Sequence, residues 1–203
     1  MAENIRSFIA IVLNEEAILA LRDVQSALRK KPSGQVGRWV RPEDTHLTLK
    51  FLGDVPATQI PQIVEAMKQA CDQHGPFDIS LTGLGCFPNM RRPRVVWVGV
   101  GGDVAALRRL QQDVEEAMNG LGYPPEERGF SPHLTLARVA RNAKPGDVEA
   151  LGQEVQRITL GEIAHVHVER VHLMRSDLRP SGAVYTELAA AALLARDASL
   201  CSA

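Results

Sequence analysis

Two short segments carry the residues best suited to chemistry. His46-Leu47-Thr48-Leu49 and His133-Leu134-Thr135-Leu136 are identical and lie 133 − 46 = 87 positions apart. A second copy of such a quartet arises by chance only roughly once in 500 times, so internal duplication is the better explanation. On a strand, side chains two apart leave from the same face, about 6.5–7 Å from one another. His46 and Thr48 therefore share one face and His133 and Thr135 another, while the four leucines point into a core. Imidazole titrates near neutrality, so one histidine can take a proton from water while the other gives one to a departing alkoxide, each contributing about 10²- to 10⁴-fold in rate. Two hydroxyls beside them suit the non-bridging oxygens of a phosphate. Strand parity also puts Lys50 on the face of His46, whereas Ala137 stands at the equivalent place in the second copy. Core packing accounts for the leucines and for neither polar residue.

The elements that must hold these motifs follow from hydrophobic spacing. Arg6 to Leu13 is an apolar run that reads as a strand, and Asn14-Glu15-Glu16 opens a helix with the stripe Ile18, Leu21, Val24 and Leu28. Thr45 to Leu52 alternates as a strand, Pro56 to Asp72 is an amphipathic helix with Cys71 on its buried stripe, and Phe77 to Leu84 is a strand. Gly85 to Asn89 reads as a turn, Arg94 to Val100 as a strand, and a helix opens after Gly101-Gly102-Asp103 and ends by Gly122. Pro132 to Val139 reads as a strand and Gly146 to Gln156 as a helix. Ile158 to Met174 and Ala183 to Leu188 close the fold as strands, and Ala189 onward reads as a last helix fraying into a tail.

Composition bounds the ligand. The 203 residues carry 23 basic and 24 acidic side chains, a net charge of 23 − 24 = −1, which excludes a surface that clings to polyanions in bulk and requires any nucleic acid to be held at a local site. Cys71, Cys86 and Cys201 are odd in number and lack CxxC spacing, which points away from a disulfide framework and towards a reducing, cytoplasmic setting. The apolar start at Phe8 to Leu13 is too short to cross a bilayer.

The paired motifs resemble those of the two-histidine phosphoesterase superfamily. More closely, the chain is similar to the bacterial and archaeal RNA 2′,3′-cyclic phosphodiesterases of the LigT-like 2′-5′ RNA ligase family. The likeness rests on Arg6-Ser7-Phe8-Ile9-Ala10, Trp39-Val40-Arg41-Pro42 leading to His46 through Gly53, Gly83-Leu84-Gly85-Cys86-Phe87-Pro88, Arg92-Pro93-Arg94 through Gly99, Phe130-Ser131-Pro132-His133 through Arg138, and Ser176. It implies an α+β fold of two duplicated lobes, each a mainly antiparallel sheet with outer helices, with the motif strands facing a central cleft. Residues 1–190 would form this single domain and 191–203 a tail. It implies metal-independent hydrolysis of RNA 2′,3′-cyclic phosphate ends to 2′-phosphomonoesters, with His46 as proton donor, His133 as proton acceptor, and Thr48, Thr135 and Arg138 on the phosphate. Run backwards with a 5′-hydroxyl, the same groups would make a 2′-5′ linkage. Arg138 is five residues from His133, so strict alternation places it on the wrong face unless a bulge or the strand end re-aims it, or its long side chain curls round. The alternatives are a cyclic phosphodiesterase on a nucleotide or ADP-ribose cyclic phosphate, and a non-catalytic module that binds RNA ends.

The expected partners are RNA ends or oligonucleotides with a 2′,3′-cyclic phosphate, for a monomer without cofactor, metal or membrane contact. Arg91, Arg92 and Arg94 form the densest basic cluster and suit either an RNA terminus or a solvated loop. Phe8, Phe51, Phe87, Trp97 and Phe130 are core residues, with one or two available to stack on a base. His165 and His167, with His172 nearby, read as a solvated strand face, since no carboxylate or cysteine stands at ligand spacing.

Overall fold

The computed structural model describes residues 3–127, 129–179 and 182–194. Nine strands and four α-helices are seen among them: β1 (Asn4–Val12), α1 (Glu15–Arg29), β2 (Gly37–Trp39), β3 (His46–Pro56), α2 (Ile60–Cys71), β4 (Phe77–Phe87), β5 (Val95–Gly102), α3 (Val104–Gly120), β6 (His133–Val139), α4 (Pro145–Arg157), β7 (Glu162–Val168), β8 (Arg170–Arg179) and β9 (Gly182–Ala192). Two sheets form, in the orders β3-β1-β8-β9 and β2-β6-β5-β4-β7, and every strand pair is antiparallel. The expected α+β architecture is present.

Local signals set the helix starts. Asn14 accepts the Ala17 N–H at 3.0 Å and its amide donates to the His165 carbonyl at 2.9 Å, so one side chain caps α1 and ties it to β7. Asp103 caps α3 through the Ala106 N–H at 2.8 Å.

The connectivity crosses between sheets. β1 lies in the four-stranded sheet, but α1 packs on β7 of the five-stranded one. Conversely, α3 follows β5 of the five-stranded sheet and packs on β3. Leucines, isoleucines and valines of both layers, among them Leu21, Leu47, Leu107 and Leu134, join in one buried cluster. The two repeats are thus held by each other's helices.

Four expectations need correction. The strand β4 runs on to Phe87, although Gly85 to Asn89 reads as a turn: Gly83 supplies a bulge with φ +68°, and Gly85 lets the Trp97 ring lie on the sheet, where a Cβ would stand 2.1 Å from the indole. The stretch from Ile158 to Met174, read as strand, divides into two strands in different sheets, separated at Glu169, and its first residues to Gly161 lie outside both. Ala189–Ala192 is the end of β9 and no helix, because Arg170 to Leu173 offers a paired ladder that outweighs alanine's helix preference; the rest of the tail from residue 195 lies outside the described residues. The short β2 has no periodicity to read and was not expected from the sequence.

Lys50 is the fourth correction. Opposite β1, Ile9 pairs with Lys50 and Ala10 with Thr48, so Leu49 is one residue too many and the alternation inverts beyond it. Lys50 accordingly turns away from Thr48 and is only 2% exposed; its ammonium donates to Glu115 of α3 and to the Pro124 carbonyl, both at 2.5 Å. Glu115 also accepts from Gln111 at 2.7 Å and from the Glu126 N–H at 2.9 Å, so Lys50 belongs to a buried polar knot between sheet and helix. Removing one partner of such a pair strands the other: Lys50→Met and Glu115→Leu are each expected to lose about 3 kcal/mol in denaturant unfolding, with most of it recovered in the double variant. Additive losses would show that the pair is not coupled.

Candidate active site

The same device shapes both motif strands. On β6, Val96 pairs with Ala137 and Trp97 with Thr135, which leaves Leu136 as the extra residue, the counterpart of Leu49 on β3. His133 and Thr135 leave one face before the bulge, Ala137 is buried after it, and Arg138 emerges exposed on the side of His133 and Thr135. The parity objection to Arg138 is resolved by this one inserted residue. On β3 the equivalent position is Phe51, 40% exposed, with the Arg6 guanidinium 4.6 Å above its ring.

A bulge leaves its carbonyl outside the regular ladder, and here each finds a glutamine. Gln25 of α1, 3% exposed, donates to the Leu136 carbonyl at 3.2 Å and to that of Val40 at 2.9 Å. Gln111 of α3 donates to the Leu49 carbonyl at 3.3 Å. The pairing is crossed: the helix of the first repeat holds the motif strand of the second, and the reverse. Sequence reasoning missed both residues, although 111 − 25 = 86 nearly matches the repeat distance and was a signal in plain view.

The histidines are oriented alike. The Nδ1 of His46 lies 3.0 Å from the Asp44 carbonyl, and that of His133 lies 2.8 Å from the Ser131 carbonyl. A carbonyl only accepts, so each Nδ1 carries hydrogen and donates it, leaving Nε2 as the working nitrogen. β3 and β6 approach across the gap between the sheets with Cα atoms within 8 Å.

Their surroundings differ. His46 is stacked on the buried Phe8 at 4.4 Å and meets the edge of Tyr185 at 4.9 Å, and burial lowers its pKa against the raising effect of the Asp44 carbonyl and charge. Among the described residues His133 meets one aromatic ring, the edge of Phe87 at 4.9 Å, and is more open. The Tyr185 hydroxyl is pushed up in pKa by burial and by Asp44, while Arg138 and Arg6 pull it down. Arg138 of one sheet therefore exerts its charge on a ring that touches the histidine of the other. Tyr185, on β9 opposite Ser176, is a further residue of the site that sequence reading did not find.

The remaining candidates sort by place. Phe8 is core and also the floor beneath His46, and Phe87 and Trp97 pack together beside His133. His165, His167 and His172 lie on strands and pair with Glu162, Asp78 and Glu187 at 3.0, 2.8 and 2.8 Å. Among the described residues no group of three or more His, Cys, Asp or Glu is placed to hold a metal ion. No helix of the described residues is long and apolar enough to cross a membrane.

Known proteins are similar to the chain over most of its length. Residues 15–180 match the model of the 2′-5′ RNA ligase superfamily. An RNA 2′,3′-cyclic phosphodiesterase of Methanothermobacter thermautotrophicus is 35% identical over 187 residues, covering 91% of this chain and 96% of that one. One of Aeropyrum pernix is 39% identical over 151 residues, covering 73% and 82%. Among solved structures, a Thermus thermophilus protein superposes with a TM-score of 0.76 at 30% identity, covering 93% of this chain and 97% of that one, and E. coli LigT complexed with 3′-AMP with 0.71 at 25%, covering 94% and 99%.

The crossed clamps make a spectroscopic prediction. Gln25→Leu is expected to perturb the imidazole NMR signals of His133, and Gln111→Leu those of His46, each with a stability loss of about 1–2 kcal/mol for the side-chain hydrogen bonds removed. Perturbation of the histidine nearer in sequence instead would contradict the crossed arrangement.

Proposed function

The chain belongs to the 2′-5′ RNA ligase superfamily, and from that membership we propose that it hydrolyses 2′,3′-cyclic phosphates at RNA ends, leaving a 2′-phosphomonoester, as a monomer in the cytosol. The observation that carries the reading is the pair of histidines with identical Nδ1–H anchors, each on a bulged strand of a different sheet.

In this mechanism the cyclic phosphate sits between the motif strands with its non-bridging oxygens towards Thr48, Thr135 and the Arg138 guanidinium. The more open His133 accepts a proton at Nε2 from water as the water oxygen bonds to phosphorus. The bond from phosphorus to the 3′-oxygen breaks, and that oxygen takes the Nε2 proton of His46. Burial makes His46 a stronger acid but a scarcer one at neutral pH; the negative charge of the bound phosphate restores its proton. Arg138 matches the charge that builds on phosphorus, acting at the junction of the two sheets. Run in reverse, a 5′-hydroxyl in place of water gives a 2′-5′ linkage through the same two proton transfers. Cys71 and Cys86 take no part: both are buried free thiols, pushed up to about 12 and about 11.

The test is a short RNA ending in a 2′,3′-cyclic phosphate, incubated with the protein in EDTA. A 2′-phosphate is expected from the wild type, with rates lowered about 10²- to 10⁴-fold in His46→Ala or His133→Ala. Turnover that survives both substitutions, or that vanishes with the metal, overturns the mechanism.

The pH profile follows from His46. Activity needs His46 protonated and His133 neutral, so a lowered His46 pKa moves the bell-shaped kcat/KM optimum to the acid side. The phosphate anion raises that pKa in the complex, so the kcat optimum is expected at higher pH than the kcat/KM optimum. Coincident optima would show that burial of His46 does not govern its proton.

A further inference from the structure

A second basic feature lies beyond the motif strands. The loop between β4 and β5, the residues after β6 and the start of α4 enclose a groove of about 480 Å³ whose walls carry Arg91, Arg92, Arg94 and Arg141, with Glu149 as the lining carboxylate. All four arginines are exposed, and among the described residues none is within 4.0 Å of a carboxylate. In a chain of net charge −1, four unpaired guanidinium groups around one groove are a concentrated exception. Pro145 and Val148 of the first turn of α4 line the same groove, and the N-cap residue of this 13-residue helix, Lys144, makes no side-chain cap, so its N-terminus presents free N–H groups beside Asp147, the acid of its first turn.

The loop that bears three of these arginines is held in shape. Asn89 accepts the N–H groups of both Arg91 and Arg92 at 3.0 Å, Pro93 is buried, and the Arg94 carbonyl accepts the Val139 N–H at 2.9 Å. The Met90 carbonyl seats on Gly152 of α4, where a Cβ would stand 1.7 Å from the oxygen. Such anchoring spares a ligand the ordering of the loop.

The groove is tied to the site through the ends of β4 and β6. Phe87, whose carbonyl accepts the Arg94 N–H at 2.6 Å, packs on the His133 ring. β6 runs from His133 to Val139 at the groove, six residues or about 20 Å of strand, and Arg138 pairs with Arg38 of β2 on the way. A basic track therefore leads from the histidines along β6 to the four arginines, a span suited to several nucleotides of single-stranded chain.

Building on the hydrolase reading above, we propose that this groove binds the phosphodiester backbone of single-stranded RNA upstream of the cyclic phosphate, so that the preferred substrate is an oligonucleotide and not a mononucleotide. Arginine suits this ligand because its planar fork pairs with phosphate oxygens, and contacts of this kind position the chain without reading its sequence.

The experiment compares the wild type with Arg91→Gln/Arg92→Gln/Arg141→Gln on two substrates, a ten-residue oligoribonucleotide with a 2′,3′-cyclic phosphate end and a mononucleoside 2′,3′-cyclic phosphate. The variant is expected to raise KM at least tenfold for the oligonucleotide and to leave kcat, and both constants for the mononucleotide, unchanged. The slope of log KM against log salt for the oligonucleotide should fall by about 2, at roughly 0.7 per lost phosphate contact. Equal changes on both substrates, or none on either, overturn the proposal. Binding of a fluorescent oligoribonucleotide ending in a 2′-phosphate, followed by anisotropy, separates the two readings. If the wild type turns over neither substrate, the hydrolase reading fails while weakened binding by the variant still supports the groove. Undiminished binding by the variant refutes the groove even where hydrolysis is intact.

Discussion

The alternation of side chains along a strand is the constraint on which this site depends. Unbroken, it would carry Lys50 to the cleft and Arg138 away from it. One extra residue at the end of each motif, Leu49 in β3 and Leu136 in β6, reverses both outcomes. The bulge thus decides which cation emerges on the side of the motif histidine and which is buried with Glu115. Gln25 and Gln111 each donate to the carbonyl of the extra residue in the opposite half, at Leu136 beside the Val40 N–H.

Because α1 and α3 each cross to the other sheet, the two repeats do not stand as separate halves that merely touch. The first repeat's helix fixes the second repeat's histidine strand, and the converse holds. This crossing gives a physical reason for one shared core in place of two: α1 and α3 pack on the sheet opposite the strand they follow, while α2 and α4 pack on strands of their own sheets.

Duplication supplies two similar histidines, and packing makes them different. Both donate through Nδ1 to the carbonyl two residues earlier, so the tautomer is common. Phe8 and Tyr185 enclose His46, while among the described residues one ring, Phe87, stands at the edge of His133. Acid and base chemistry requires unequal partners, and these aromatic neighbours provide the inequality without changing the motif.

The motif letters, their 87-residue spacing and the apolar stripes were enough to place His46, Thr48, His133 and Thr135 on strands and to expect two antiparallel layers with outer helices. Those features are local: they follow from side-chain periodicity and from residues that only chemistry explains. The fate of Lys50, the re-aiming of Arg138, the extension of β4 beneath Trp97 and the pairing of Ala189–Ala192 were not legible, because each depends on a partner strand or helix remote in sequence. Tyr185, Gln25 and Gln111 entered the site in the same way. Sequence by itself determined which groups can transfer protons and hold a phosphate. Tertiary structure decided which of them face one cleft, since a bulge is defined only by the register between two strands and a histidine's proton affinity only by what is packed against it.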